Sequence, residues 1–309
     1  MIEVENLTKR YGEKLAVDGL DFVVRPGIVT GFLGPNGAGK PATMRMIAGL
    51  DEPTAGRVRV NGREYRSAPA PTAELGIWLA ARAMQTGRPA RHHLLALAQA
   101  SGAGRRRVGE LIGLAGLGEV AGKRAGGFSL GMGQRLGIAA ALLGDPRVVV
   151  LDEPVNGLDP EGVLWARSLL KGLAAGGRTV LVSSHLMSEM ALTAARLVVI
   201  GRGRLVADTT VEEFVARAGG SAVTVRTPQA ARLRELLLGP GITVTSGQSG
   251  VLQVRGLTAQ RIGAAAWQAR LPVFELATRH ASLEKAFMQL TGDSVGFRSC
   301  AAAGAVAAR

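Results

Sequence analysis

Cysteine, aromatic residues and long apolar stretches are all scarce in this chain of 309 residues. One cysteine, Cys300, cannot form an internal disulfide, which is typical of a protein of the reducing cytosol. Aromatic residues make up only 4% of the chain and are not interleaved with basic ones, so no nucleic-acid partner is expected. No apolar run approaches the roughly 18 residues of a bilayer span, which predicts no membrane-spanning helix.

Basic residues outnumber acidic ones, and the formal net charge is +13. Apart from Arg105, Arg106 and Arg107 they are scattered along the chain, which indicates a solvated surface. A basic face would also suit an anionic membrane surface. The hydrophobic content of 47% is enough for a sizeable core, and the length predicts one large domain with a smaller one.

Residues 31–50 (GFLGPNGAGKPATMRMIAGL) have the pattern of a phosphate-binding loop between a strand and a helix. Backbone N–H groups of such a loop and the start of its helix point at phosphate, and a lysine adds positive charge. Glycine lets the backbone curl around an anion with no Cβ in the way. The predicted loop consists of Gly34, Pro35, Asn36, Gly37, Ala38, Gly39 and Lys40.

The residues after Lys40 depart from the usual pattern. A Ser or Thr is expected next, with its hydroxyl on Mg²⁺, whereas this chain has Pro41 and then Ala42. Proline is tolerated in the first turn of a helix, so the fold should survive, but a backbone N–H and a hydroxyl are lost. Thr43 lies about 200° further round the helix and cannot easily replace the hydroxyl. Losing one such donor costs on the order of 3 kcal/mol, so we expect slow hydrolysis of a nucleotide that still binds.

Two adjacent carboxylates follow the apolar run at residues 148–151. Four apolar residues predict a buried parallel strand, and Asp152 and Glu153 then lie at its carboxyl end, where α/β proteins bind ligands. One carboxylate can hold Mg²⁺ and the other can orient an attacking water. His185 ends a further apolar strand and could contact a γ-phosphate. Strand-end capping by the carboxylates and a structural role for the histidine are the alternatives.

Three further segments are candidates for parts of the site. Ser129 is either an ordinary helix N-cap or the start of a second anion-binding helix. Tyr11 could stack on an adenine ring, although ordinary sheet packing is the alternative. A turn through Asn156–Gly157–Leu158–Asp159–Pro160 should lead into a helix, and Asn61–Gly62 predicts a hairpin with a strand on each side.

The ordered motifs GPNGAGK, SLGMGQR, VVVLDEP, NGLDP and SSH resemble the nucleotide-binding subunits of ATP-binding cassette (ABC) transporters, over residues 1 to about 215. The segments SLGMGQRLGIA and LGIWLA resemble the daunorubicin- and bacitracin-resistance branch of exporters. This resemblance implies an α/β fold. Its P-loop NTPase core would be a mostly parallel sheet flanked by helices, with an antiparallel β subdomain and a helical subdomain.

The resemblance also implies roles for individual residues. In that family, two cassettes enclose two ATP molecules, and the phosphate loop of one faces the signature motif of the other. By resemblance, Asp152 positions Mg²⁺, Glu153 is the general base and His185 holds the γ-phosphate. Contacts to the nucleotide or across the dimer are implied for Tyr11, residues 34–42, Ser129, Gly131 and Asp159. Ala80 takes the place of a Gln or acidic residue that touches Mg²⁺ and the membrane partner.

The function implied is ATP hydrolysis coupled to export, of the drug or antibiotic type, through a separate transmembrane permease. The cassettes would form a homodimer or heterodimer at the cytoplasmic face of the membrane. The alternative is a degenerate nucleotide-binding or regulatory partner without useful turnover, which Pro41 and Ala80 favour and the intact Asp152, Glu153 and His185 disfavour. A cassette acting on ribosomes or DNA is disfavoured because the chain has one phosphate loop.

The last hundred residues are expected to form a second domain. Apolar alternation and helix periodicity over residues 221–290 predict the order β-α-β-β-α-β, which is typical of a small α+β ferredoxin-like domain. The predicted boundaries are residues 1–218 for the ATP-binding domain and 219–294 for this accessory domain. Residues 295–309 are predicted to be a disordered tail.

Overall fold

The computed structural model describes residues 1–79, 84–217, 222–247, 250–279 and 283–291. The chain folds into two compact units, a larger one that contains Met1–Val211 and a smaller one that contains Glu212–Leu290. Among the described helices, none is long and apolar enough to cross a bilayer. Residues 295–309 lie outside the described residues, so the predicted tail and domain boundaries stay predictions.

The larger unit contains nine strands and seven complete helices among its described residues. The strands are β1 (Ile2–Tyr11), β2 (Lys14–Val24), β3 (Val29–Leu33), β4 (Ala55–Val60), β5 (Leu75–Trp78), β6 (Val148–Leu151), β7 (Thr179–Ser183), β8 (Arg196–Gly201) and β9 (Arg204–Thr210). The helices are α1 (Lys40–Ile47), α2 (Pro71–Glu74), α3 (Ala90–Ser101), α4 (Arg105–Leu114), α5 (Leu130–Ala141), α6 (Pro160–Ala175) and α7 (Met187–Thr193); α8 (Val211–Arg217) begins at the boundary between the units.

A six-stranded sheet runs through the larger unit in the order β5-β6-β7-β3-β8-β9. Neighbouring strands are parallel except for β9, which pairs antiparallel with β8. Strands β3, β6 and β7 are buried along their whole length, as expected for strands covered on both faces. Because β6, β7 and β3 are neighbours and parallel, the segments that follow them meet at one edge of the sheet. The predicted mostly parallel sheet is confirmed.

A second, antiparallel sheet has the order β2-β1-β4. Its apolar side shares a core with the first sheet, where the rings of Phe22 and Phe32 stack with centroids 5.7 Å apart. The predicted strand after Asn61–Gly62 is wrong. Residues 65–67 form a 3-10 turn instead, because the Ser67 hydroxyl and backbone N–H both donate to the Glu64 carbonyl.

Helices α3, α4 and α5 pack on one another and form the predicted helical part. Gly102 ends α3 with φ +69°, a left-handed conformation that glycine adopts easily. Small residues let α5 lie directly on β5. A methyl group added at Gly137 would lie 2.1 Å from the Trp78 ring, and one at Gly76 would lie 2.0 Å from the carbonyl oxygen of Ala141. Larger side chains cannot occupy either position without displacing backbone or ring.

The smaller unit has the predicted order of elements. They are β10 (Ala222–Arg226), α9 (Ala230–Leu237), β11 (Thr243–Ser246), β12 (Val251–Arg255), α10 (Ala259–Gln268), β13 (Glu275–Arg279) and α11 (Leu283–Thr291). The sheet order is β11-β12-β10-β13 with every pair antiparallel. Alternate strand residues, Val223, Val225, Leu252 and Val254, pack with Leu233 and Ile262 of the two helices. The ferredoxin-like α+β fold is confirmed.

Candidate nucleotide-binding site

The phosphate loop connects the end of β3 to the start of α1 and follows the path that its glycines allow. Gly37 has φ +80° and Gly39 has φ +103°, both in the left-handed region. A methyl group at Gly39 would lie 2.5 Å from the carbonyl oxygen of Ala16, and one at Gly34 would lie 2.6 Å from that of Ile200. The loop is therefore enclosed by backbone of β2 and β8, and only glycine fits at these two positions.

Lys40 is folded into this loop. Its side chain is buried, and Nζ donates to the carbonyl oxygens of Gly34 at 2.5 Å and Pro35 at 3.4 Å. An ammonium has three N–H donors, so one remains for an anion held by the loop. The pKa of Lys40 is lowered because its side chain is buried, and the nearby charges of Glu153 and Asp152 oppose this shift. The lysine is thus a cation held beside two carboxylates at the edge of the sheet.

Asp152 and Glu153 leave the end of β6 next to the end of β7. The Ser183 hydroxyl donates to Oδ1 of Asp152 and accepts the backbone N–H of Glu153 at 2.9 Å. The pKa of Asp152 is raised, mainly because its side chain is buried. The hydrogen bond from Ser183 and the charge of Lys40 oppose this shift, and the charge of Glu153 adds to it. One serine on the neighbouring strand therefore orients both residues of the carboxylate pair.

Glu153 is paired with His185. Its Oε2 lies 2.6 Å from Nδ1 of His185 and accepts the His185 backbone N–H at 3.2 Å. Glu153 has φ +49°, a conformation that non-glycine residues rarely adopt and that clusters at functional sites. The His185 side chain is 54% exposed, so the pair faces solvent where a substrate could enter.

The sequence did not predict the residues that hold the backbone of Asp152 and Glu153 in place. The indole N–H of Trp78 donates to Oε1 of Gln134 at 2.7 Å, and Nε2 of Gln134 donates to the Glu153 carbonyl oxygen at 2.9 Å. The backbone N–H of Asp152 donates to the Trp78 carbonyl oxygen at 2.8 Å. Helix α5 is thereby linked to both β5 and the carboxylate segment. Gln134 is part of the SLGMGQR motif and Trp78 is part of the LGIWLA segment, but neither pattern predicted these hydrogen bonds.

Pro41 occupies the first turn of α1, as the sequence predicted. It has no N–H to offer the loop, and Ala42 has no hydroxyl. The hydroxyl of Thr43 is fully buried and donates to the Gly39 carbonyl oxygen at 3.0 Å. The expectation that Thr43 cannot replace a hydroxyl at position 41 is therefore confirmed.

Tyr11 lies at the end of β1 and is 46% exposed. Its hydroxyl donates to Oδ2 of Asp51 at 2.7 Å, and Nζ of Lys9 lies 5.0 Å from the ring centroid. An exposed ring that is held by its hydroxyl can receive a flat partner on its free face. Its contact with adenine stays a prediction.

Ser129, Gly131 and Asp159 line a separate open cleft of about 650 Å³. Ser129 caps α5 by accepting the Met132 N–H at 3.2 Å, and Asp159 caps α6 by accepting the Gly162 N–H at 2.9 Å. Within the described ranges, no hydrogen bond or ion pair joins these residues to residues 34–40. The structure thus groups the predicted site residues into two sets on one cassette. Ala80 lies outside the described residues.

Solved structures with the same fold define the class of protein. The structure entitled ATP binding subunit of ABC transporter matches with a TM-score of 0.65 and 27% identity, over 71% of this chain and 93% of that one. The dimeric post-hydrolysis structure of the ATP-binding cassette MJ0796 bound to ADP and Pi matches with a TM-score of 0.62 at 22% identity, covering 68% of this chain and 98% of that one, and supports the fold alone. The fold and the phosphate loop are those of a P-loop nucleotide-binding cassette.

Sequence comparisons identify the family. The ABC transporter family profile matches residues 17–156, and a domain of unknown function (DUF8746) matches residues 221–284. The daunorubicin resistance ATP-binding protein DrrA3 of Streptomyces coeruleorubidus is 34% identical over 94% of this chain and 96% of its own length. The bacitracin transport ATP-binding protein BcrA of Bacillus licheniformis is 36% identical over 70% of this chain and 72% of its own. The chain belongs to the family of ABC transporter ATP-binding proteins, which are ATPases, and the predicted resemblance is confirmed.

Proposed function

We propose that this chain binds Mg·ATP at residues 34–40 and serves as the ATP-binding subunit of a drug- or antibiotic-type ABC exporter, with slow hydrolysis of its own. The observation that carries the proposal is the gathering of Lys40, Asp152, Glu153 and His185 beside the phosphate loop. Three neighbouring parallel strands bring these groups to one edge of the sheet. Ligands of open α/β sheets bind at this edge.

Each of these side chains has a part in the proposed hydrolysis. The loop N–H groups and the Lys40 ammonium bind the β- and γ-phosphates and offset their negative charge. Glu153 accepts a proton from the attacking water, and His185 both holds Glu153 in place and contacts the γ-phosphate. Catalysis of this kind depends on positioning and on charge more than on covalent chemistry.

The oxygen ligands available for the Mg²⁺ of Mg·ATP are fewer than usual. Asp152 is the carboxylate placed to hold the ion, directly or through water, and Mg²⁺ prefers oxygen ligands together with substrate phosphates. The hydroxyl expected at position 41 is absent, because the residue is Pro41. This donor set fits a magnesium ion that is carried in by the nucleotide and held weakly by the protein.

Pro41 is the reason to expect slow turnover. The position lacks both an N–H and a hydroxyl, and losing one preorganised donor to a developing charge costs about 10²-fold or more in rate. The same feature favours a second candidate function, a nucleotide-binding cassette without useful turnover that supports a competent partner.

The proposed assembly is a pair of cassettes on a separate transmembrane permease, at the cytoplasmic face of the membrane. The cleft with Ser129, Gly131 and Asp159 would face the ATP held by the phosphate loop of the other cassette. The similarity to the daunorubicin resistance ATP-binding protein DrrA3 supports this proposal. The partner cassette is a second copy of this chain or a different one.

The deciding experiment compares the purified chain with the double variant Pro41→Thr/Ala42→Thr. Both are tested for Mg·ATP binding and for release of phosphate, and Glu153→Gln in the double variant serves as the inactive control. We expect both proteins to bind ATP, and the double variant to hydrolyse it about 10²-fold faster because a loop donor is restored.

The outcomes separate the two candidates. If the double variant hydrolyses ATP and the natural chain does not, the chain is a cassette that needs a competent partner. Equal rates in the two proteins would show that the loop tolerates proline and that hydrolysis is unimpaired. Absence of ATP binding to either protein would overturn the proposal as a whole.

A further inference from the structure

Tyr11 is connected to the helix of the phosphate loop through one carboxylate. Its hydroxyl donates to Oδ2 of Asp51 at 2.7 Å across 40 positions of sequence. Arg45, on α1, donates to the same carboxylate through Nε to Oδ2 and Nη2 to Oδ1, both at 2.8 Å. A two-point guanidinium–carboxylate pair fixes orientation as well as distance. Asp51 therefore ties the exposed aromatic ring to the element that begins at Lys40.

The surroundings restrict Tyr11 further. Lys9 lies over the ring, with Nζ 5.0 Å from its centroid, and the same ammonium donates to the Glu52 carbonyl oxygen at 2.5 Å. Because Lys9 lies over one face of the ring, we expect a ligand to stack on the opposite face. The backbone N–H of Arg10 donates to the Thr54 hydroxyl at 3.0 Å, which holds the end of β1 against the same segment.

The charges favour an intact connection under physiological conditions. Hydrogen bonds from Arg45 and then Tyr11 lower the pKa of Asp51 to about 2. The bond to Asp51 is also the main cause that raises the pKa of Tyr11. Around neutral pH the carboxylate is therefore ionised and accepts only, while the phenol keeps its proton and donates.

We propose that Asp51 is a positioning residue for the nucleotide base, because it fixes the Tyr11 ring relative to the phosphate-loop helix through Arg45. The base and the triphosphate would then be held by one continuous connection. This inference rests on the proposed binding of ATP and on the prediction from the sequence that Tyr11 stacks on adenine. The merely structural alternative is a surface ion pair at the end of α1, which would contribute little to stability and nothing to nucleotide binding.

Two probes distinguish these alternatives in the full-length chain. Mg·ATP reports on base and phosphates together, and Mg·tripolyphosphate reports on the phosphate loop alone. The variants are Tyr11→Ala, which removes the ring, and Tyr11→Phe and Asp51→Ala, which remove the connection and keep the ring. Asp51→Asn keeps an acceptor oxygen, and Glu52→Gln removes the neighbouring ion pair with Arg66 as the matched control. Calorimetric titration gives both affinities, and thermal melting verifies folding.

We expect Tyr11→Phe and Asp51→Ala to weaken Mg·ATP binding by about 3- to 10-fold, since a freed side chain must be ordered again on binding. Their affinity for Mg·tripolyphosphate should stay that of the natural chain. Tyr11→Ala should lose more affinity for Mg·ATP than either, and Asp51→Asn should recover part of the loss. Glu52→Gln should leave both affinities unchanged.

Three results would overturn the inference, each in a different way. If Tyr11→Ala loses ATP affinity while Tyr11→Phe and Asp51→Ala do not, the ring stacks without needing its connection, and the proposed function stands. If Tyr11→Ala binds Mg·ATP as tightly as the natural chain, Tyr11 does not contact the base. The proposed phosphate site is then tested by its affinity for Mg·tripolyphosphate. Equal losses for both probes would mean that Asp51 supports the loop in general and has no role in positioning the base.

Discussion

Nδ1 of His185 lies 2.6 Å from Oε2 of Glu153. The carboxylate that could activate a water is thus held by the residue that could contact the γ-phosphate, and the two are expected to act as a unit. A nucleotide that draws the imidazole toward its phosphate would alter the hydrogen bonding of Glu153 at the same time. If the proposed function holds, we expect this hydrogen bond to couple binding of the γ-phosphate to activation of the base.

Replacing His185 should separate binding from turnover. In the Pro41→Thr/Ala42→Thr background, we expect His185→Ala to lower kcat by about 10²-fold or more, because Glu153 loses its partner and the γ-phosphate loses a donor. Affinity for Mg·ATP should change little, because the phosphate loop is untouched. Steady-state kinetics and equilibrium binding measure the two effects. His92→Ala changes an exposed histidine of α3 and should match the parent; an unchanged kcat in His185→Ala would remove this residue from the mechanism.

The close contact between α5 and β5 predicts that alanine destabilises the fold at Gly137 but not at Gly172. At Gly137 a methyl group would lie 2.1 Å from the Trp78 ring, so we expect Gly137→Ala to cost about 1–3 kcal/mol of unfolding free energy. At Gly172, within α6, a methyl group meets nothing within 4 Å, so Gly172→Ala should gain about 0.5–1 kcal/mol. Urea denaturation of the three proteins provides the measurement. Similar shifts in both variants would contradict the close packing.

The link from Trp78 through Gln134 to Glu153 should be cooperative. Gln134→Leu leaves a buried indole N–H and the Glu153 carbonyl without their partner, at a cost of about 1–3 kcal/mol. A double-mutant cycle with Trp78→Phe should give a coupling energy of about 0.5–3 kcal/mol. Thermal or urea unfolding measures the four corners of the cycle. Additive effects would show that the hydrogen bond between these side chains contributes nothing.

The Asp51 connection should weaken in acid. The pKa of Asp51 is lowered from 3.8 to about 2 in the folded chain, first by Arg45 and then by Tyr11. Ionised Asp51 therefore stabilises the fold above about pH 4, and this contribution is lost as the pH falls through about 2. Because Arg45 is half exposed, the contribution should be below about 1 kcal/mol.

The measurement is the difference in unfolding free energy between the natural chain and Asp51→Asn. It should be constant from about pH 8 to about pH 5 and shrink below about pH 4. Added salt should reduce it at every pH, since the ion pair is partly exposed. A difference that grows on acidification would contradict the assigned direction of the pKa shift.

Local patterns in the sequence predicted most of the fold. The glycines before Lys40 and the four apolar residues of β6 specify their own conformation, so the loop and the carboxylate pair could be placed correctly. The strand expected after Asn61–Gly62 was wrong because Ser67 bonds back to Glu64 and closes a 3-10 turn. Turn signals show where a chain reverses, but not whether the segment that follows finds a strand partner.

Contacts between distant residues could not be predicted in the same way. Gln134 lies 56 positions from Trp78 and 19 from Glu153, and Asp51 lies 40 from Tyr11. Single residues of these types carry no periodic pattern, and their pairing depends on how β5, α5 and the end of α1 are brought together. The support of the site was therefore visible only in the folded chain.

Gly39 lies so close to Ala16 that the phosphate loop takes its shape from the strands around it. The backbone N–H of Gly203 also donates to the carbonyl oxygen of Ala38 at 3.0 Å, so this loop is held by Gly203 as well as by the close contacts with Ala16 and Ile200. A loop that is already ordered has little conformational entropy left to lose when a ligand arrives. The nucleotide should then bind to a preorganised loop. The entropy of binding should come mainly from water and counter-ions that leave the phosphates.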